Sequence, residues 1–298
     1  MISQNDLIGN VQKRGRFRGN YITKLFRKVA GLIPFKHTYL DKPSADFIFL
    51  TICGANSLDM VKTSLYSFLK NSDVKPSKVV IVSDGTWDCK IGEKLFLDFK
   101  VPFVFESWTV SAEYYKQKKQ EDLYTWAHKQ IWGKKLAAIL RHAESSLVLF
   151  SDSDVIWYKN PITVKDYSKE YLIKLSQDNS HNYDTELIKK MNADFLYQSP
   201  PVNCGIVLIK GNMFALSNTI SQAITLESKS PGSFSEQTLL ALLVQEFGEV
   251  WPEEEITTTI GDILSPIFKI SKYPPALKAR HYVWNLKWLY WRDVITKL

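Results

Sequence analysis

Apolar residues along the chain gather into short continuous blocks separated by turns and by stretches of helical spacing. The block DFIFLTICG (46–54) is aromatic and β-branched and closes on Gly54, the pattern of a strand buried on both faces. Residues 57–70 follow with Met60, Val61, Leu65, Phe68 and Leu69 at helical intervals, and KVVIVSDG (78–85) is a second buried strand ended by a turn. The alternation continues with the strand FKVPFVFES (99–107), a helix around 132–144 and the strand LVLFSDSD (147–154). Strands of this kind alternating with helices predict an α/β fold whose central sheet is mostly parallel and covered by helices on both faces. Residues 165–200 are polar and irregular and read as a mobile loop. Beyond them, NCGIVLIKG (203–211) reads as a strand and SEQTLLALLVQEFG (235–248) as a helix with Ser235 as its N-cap and Gly248 past its end. A turn-rich stretch then leads to ARHYVWNLKWLYWRD (279–293), where Trp284, Trp288 and Trp291 recur as one helix face that suits core packing better than sugar stacking.

Composition narrows the class. A chain of 298 residues with 45% hydrophobic and 13% aromatic content can bury a sizeable core. No apolar run is long enough to cross a bilayer, and MISQNDLIGN lacks the apolar stretch of a signal peptide. The three cysteines are scattered and there is no Asn-x-Ser/Thr acceptor, which points to a reducing, cytoplasmic setting without disulfides or a zinc site.

Charge is distributed unevenly. Residues 1–40 carry eight Lys/Arg against the single acid Asp6, so the formal net charge of +7 resides there and residues 41–298 balance. Ile22, Leu25, Phe26, Val29 and Ile33 recur at helical spacing beside Lys24, Arg27 and Lys28. That is the pattern of a basic amphipathic helix that lies on an anionic membrane, or of a solvated helix packed on the body. The chain therefore divides into a basic extension, 1–40, and an α/β domain, 41–298. A nucleic-acid partner is disfavoured, because the tract has no reader motif and the rest of the chain is neutral.

Ligands of parallel sheets bind beyond the carboxyl ends of the strands. Ser83 and Asp84 fall there as donor-binding candidates, and so do Asp152 and Asp154. Two carboxylates at i and i+2 of an extended chain point the same way about 6.5–7 Å apart, suited to one hard cation such as Mn²⁺ or Mg²⁺. Adjacent positions on one strand cannot flank a sugar from opposite sides, which argues against a glycosidase. A phosphatase of the Asp-x-Asp type carries Thr two residues on, where this chain has Ile156. Aspartates that merely cap the turn before Asn160 and Pro161 remain the alternative.

These residues resemble the nucleotide-sugar glycosyltransferases of the GT-A fold, and within them glycosyltransferase family 8. The apolar strand, Asp152-x-Asp154 and the following Lys159, Asn160 and Pro161 look like that family's metal motif. Its Arg-Leu dipeptide facing the donor is similar to Lys135-Leu136, and its Asn-x-Gly strand to Asn203, Cys204 and Gly205. Its Asp-Gln pair resembles Glu236-Gln237. Its His-x-x-Gly-x-x-Lys-Pro-Trp resembles His281 to Trp288, with His281 and Lys287 in register but Trp284 for the Gly and Trp288 for the Pro.

The resemblance implies metal ligands at Asp152, Asp154 and His281, donor contacts from Lys135, Asn203, Gly205 and Lys287, and catalytic roles for Glu236 and Gln237. It also implies retaining transfer from a nucleotide sugar, while the basic extension, not the resemblance, suggests an acceptor at the membrane, a lipid-linked or other glycan precursor on its cytoplasmic face. Bland roles stay open for His281 as a core histidine, Asn203 as a turn residue and Gln237 as a surface residue. Two other functions stay open as well: a nucleotidyltransferase acting on a sugar phosphate, disfavoured because TICGANS lacks the basic Gly-rich loop, and an inactive sugar-nucleotide-binding module.

Overall fold

The computed structural model describes residues 18–258, 266–283 and 286–298. Its strands are β1 (Ser44–Cys53), β2 (Lys75–Ser83), β3 (Phe103–Ser107), β4 (Val148–Ser151), β5 (Val155–Trp157), β6 (Leu172–Gln177), β7 (Val202–Lys210), β8 (Glu249–Trp251), β9 (Ile256–Thr257) and β10 (Ala279–His281). Seven of them form one sheet in the order β3-β2-β1-β4-β7-β6-β8, and β5-β10-β9 form a second. Every pairing in the large sheet is parallel except the two made by β7.

The period of two along each strand builds two cores. Ile48, Leu50, Ile52, Val80 and Val82 face the helices Ile131–Ala143 and Ser235–Phe247. Their neighbours Phe47, Phe49, Cys53, Val79 and Ile81 face the opposite way, onto Leu65, Phe68 and Leu69 of the helix Leu58–Asn71. Covering both faces removes the polar half of the alternation, which is why these strands are continuous apolar runs.

A third cluster joins the two ends of the described chain. Phe26 and Ala30 of the helix Thr23–Ala30 pack with Trp288, Leu289, Trp291 and Val294 of the helix Lys287–Lys297. Trp288 and Trp291 are thus packing residues, as their spacing suggests, while Trp284 lies outside the described residues. No described helix is long and apolar enough to cross a membrane.

Three local expectations are corrected. Residues 165–200 are not a loop: they contain β6, fully inside the sheet, and the helices Val164–Ser168 and Thr185–Met191. The polar side chains that disguised β6 find partners, Lys174 with Glu249 at 3.1 Å and Ser176 Oγ donating to Asn203 O at 3.1 Å. Ser235 does not cap its helix. Phe234 holds that position at φ 64°, and Ser235 Oγ instead donates to Gly232 O at 3.0 Å. Finally, the helices Trp108–Gln117 and Glu121–Lys129, unforeseen in the sequence, pack against the helix Ile131–Ala143 in the first core.

Candidate active site

β4 ends in the large sheet and β5 begins in the small one, so Asp152 and Asp154 occupy the turn that crosses between the sheets rather than one extended strand. Each is pinned by its backbone. Asp152 N–H donates to Gly205 O at 2.7 Å, and Asp154 O accepts from Tyr282 N–H at 2.9 Å. The antiparallel pairing of β10 with β5 sets His281 opposite Val155, and the Tyr282 hydroxyl donates to buried Asp293 at 2.8 Å, tying this segment to the C-terminal helix.

The result is a convergence of three ligand-type side chains. Asp152, Asp154 and His281 each present one donor atom within 4.8 Å of the others, with His281 Nε2 at 3.2 Å from Asp154 Oδ1 and 3.7 Å from Asp152 Oδ2. The tautomer follows from what lies behind the ring. Asn203 Nδ2 donates to Asp178 Oδ2 at 3.3 Å, which directs the amide oxygen the other way, where it accepts from Gly205 N–H at 2.8 Å. The same oxygen meets His281 Nδ1 at 2.8 Å, and an amide oxygen only accepts, so Nδ1 carries the proton. Burial lowers the His281 pKa against the opposing pull of Asp152, keeping the ring neutral. The Nε2 lone pair therefore points at two carboxylates. A proton-free meeting of three lone-pair atoms is repulsive by itself and suits a cation, and two carboxylates with one imidazole are a donor set that fits a divalent metal.

Lysines border the cluster. Lys287 Nζ contacts Asp154 and donates to Tyr282 O at 3.0 Å; burial pushes its pKa down to about 8, partly offset by Asp152. Lys135, buried on the helix Ile131–Ala143, lies 3.1 Å from Asp152 Oδ1 and 3.2 Å from Glu236 Oε1 and donates to Cys204 O at 3.0 Å. Burial would pull its ammonium pKa down, but Asp152, Cys204 and Glu236 outweigh that and hold it above the ordinary lysine value. Across the same contact, burial raises the Glu236 pKa to about 7 despite Lys135.

Gly205 explains itself by space. A Cβ there would stand 2.1 Å from His281 Cε1, so only glycine lets β7 pass against the imidazole.

Lys135, Asp152, Asp154, Asn203, Gly205, Glu236, Gln237 and His281 all line one cleft of about 240 Å³. Gln237 is oriented by Nε2 donating to Asn182 O at 2.9 Å. Ser83 and Asp84 do not line this cleft. Ser83 Oγ turns inward to donate to Trp87 O at 2.6 Å, and Asp84 Oδ1 accepts from Thr86 N–H at 2.9 Å. Sequence reading missed Asp178 and Asn182, which sit in the segment read as loop, and Phe234, whose positive φ carries its ring into the cleft wall.

The sheet order, the aspartate turn and the C-terminal histidine strand define a GT-A fold, the architecture of nucleotide-sugar glycosyltransferases. Among solved structures, mouse xyloside xylosyltransferase 1 superposes with a TM-score of 0.56 at 13% identity, over 82% of this chain and 99% of that one. The bifunctional glycosyltransferase WbbM gives 0.53 at 13% identity, over 85% of this chain and 47% of its own. No protein-family model matches the sequence, and neither does any curated protein.

Proposed function

We propose that this protein is a metal-dependent glycosyltransferase that moves a sugar from a nucleotide-sugar donor to a glycan or lipid-linked acceptor, with Mn²⁺ or Mg²⁺ held by Asp152, Asp154 and His281. The observation that carries the reading is the fixed His281 tautomer, which aims an unprotonated Nε2 at two carboxylates. Bound there, the divalent ion would neutralise the charge that builds on the departing diphosphate.

The chain's own groups do the rest. Asn203 and Gly205 hold the imidazole in place, and Lys287, in contact with Asp154, would meet the diphosphate as a cation. Lys135 joins Asp152 to Glu236, so the metal turn and the start of the helix Ser235–Phe247 move as one unit. Glu236 and Gln237 are the polar groups of that helix start in the cleft, and they are the candidates for contact with the sugar. Transfer with retention belongs to the proposal and rests on the family 8 likeness of the motifs. A cytoplasmic acceptor at the membrane face is supported by the basic charge gathered in residues 1–40.

A panel of nucleotide sugars incubated with Mn²⁺ tests the reading, scored by slow release of free nucleoside diphosphate without acceptor. One donor should stand out, and Asp154→Asn should abolish its turnover without shifting the metal-free melting temperature by more than a few degrees. Pyrophosphate release from a nucleoside triphosphate and a sugar phosphate, with all nucleotide sugars left intact, would replace transfer by nucleotidyl chemistry.

A further inference from the structure

The helix Thr23–Ala30 has more apolar surface than the body of the protein covers. Around its axis the apolar arc runs from Leu25 through Val29 to Phe26 and Ala30. Only the Phe26 and Ala30 half is buried, against the C-terminal helix. The other half stands in solvent, with Leu25 55%, Val29 39% and Leu32 79% exposed. A second segment extends this surface. The Phe268 ring meets Phe26 edge-on at 6.4 Å between centroids, yet Phe268 is 85% exposed, and Ile270 beside it 57%.

Two distant parts of the chain thus carry exposed apolar side chains, joined through the Phe26–Phe268 contact, and basic side chains accompany both. Lys24 and Lys28 follow the exposed stripe on the helix, and Lys269 and Lys272 are exposed along the second segment. Neither 18–40 nor 266–272 contains an acidic residue.

We propose that this patch docks on an anionic lipid bilayer, with Leu25, Val29, Leu32, Phe268 and Ile270 entering the interface and the lysines meeting headgroups. The inference rests on the membrane-facing acceptor reading above and adds the surface that would carry it. Charge selects the occupant. A second copy using the same face would set basic residues against basic residues, whereas anionic headgroups complement them. The segment 266–272 also leads directly through Ser271 and Tyr273 to β10, since both hydroxyls bond Asp293, which holds Tyr282 next to His281. Docking would therefore place the metal cluster a short distance along the chain from the bilayer surface.

The test is co-sedimentation of the full chain with phosphatidylglycerol/phosphatidylcholine vesicles and with phosphatidylcholine vesicles alone, at low and high salt. The wild type should pellet only with anionic vesicles, and high salt should release it. Lys24→Gln/Lys28→Gln should weaken partitioning about thirty-fold, at about 1 kcal/mol per basic residue. Leu32→Glu/Phe268→Glu changes two highly exposed side chains, so it should keep the wild-type melting temperature and donor hydrolysis while losing at least ten-fold in vesicle binding.

Undiminished pelleting of Leu32→Glu/Phe268→Glu would overturn the proposal. So would a concentration-dependent dimer in light scattering that this variant abolishes, because the patch would then belong to a second copy. Donor hydrolysis without vesicle binding removes the docking surface alone; vesicle binding without hydrolysis of any nucleotide sugar removes the transferase reading alone.

Discussion

Gly205→Ala is the most informative single substitution, because the added methyl has one place to go. Its Cβ would sit 2.1 Å from His281 Cε1 and 2.3 Å from Nδ1, whereas carbon atoms rest about 3.5–4.0 Å apart. Both backbone groups of Gly205 are held, its N–H by Asn203 Oδ1 and its carbonyl by Asp152 N–H, although the β6–β7 register shifts at this point of β7. The imidazole must therefore back away by roughly 1.4 Å, far outside the ±0.2 Å that a metal–ligand distance tolerates.

Losing even an outer-shell partner of a ligand typically costs 10–100-fold in metal affinity, so losing His281 itself should weaken Mn²⁺ binding by about that factor or more. Overpacking should cost about 1–3 kcal/mol in stability. Mn²⁺ titration and thermal melts of Gly205→Ala, His281→Ala and the double variant give a cycle. Removing the ring also removes the clash, so the double variant should bind Mn²⁺ no worse than His281→Ala and be no less stable. Wild-type Mn²⁺ affinity in Gly205→Ala would refute the reasoning.

Two further outcomes follow from the same geometry. Asn203→Ala frees the His281 tautomer and should weaken Mn²⁺ binding about 10–100-fold while leaving nucleotide recognition without metal unchanged, measurable by calorimetry. Glu236 binds its proton more tightly folded than unfolded, since burial raises its pKa from the ordinary 4.5 to about 7. Its contribution to stability is therefore present below pH 4.5 and lost as pH climbs to about 7, by at most about 1.4 kcal/mol per pH unit. Melting curves across that window should fall more steeply for wild type than for Glu236→Gln; parallel curves would mean that Glu236 does not titrate there.

Much of this architecture is legible in the residues, for reasons that can be named. β1, β2, β4 and β7 are buried on both faces, so their apolar runs are unmistakable. β6 was hidden because its polar residues are satisfied by Glu249 and by the Asn203 carbonyl, partners distant in sequence. The sequence singles out Asp152 and Asp154 by their i, i+2 spacing and His281 and Lys287 by theirs, and the structure brings these four side chains together, with the aspartates in a turn and not on one extended strand.

The rule that ligands lie beyond strand ends led to Ser83 and Asp84, but it says nothing of side-chain direction, and Ser83 turns inward to Trp87. Asp178 and Asn182, which orient Asn203 and Gln237, had no local signal at all, because their partners lie 25 and 55 residues away in the chain. Likewise the apolar stripe of the helix Thr23–Ala30 suggested two readings, packing and membrane contact. Its inner half is packed and its outer half is exposed.

The central claim is that Asp152, Asp154 and His281 hold a divalent ion, and its location can be measured directly. Crystals grown with Mn²⁺ and a nucleoside diphosphate should give an anomalous difference peak at the manganese edge within about 2.3 Å of one oxygen from each aspartate and of His281 Nε2. A diphosphate bound in this cleft with no anomalous peak among those three side chains, or a peak elsewhere on the protein, would contradict the account.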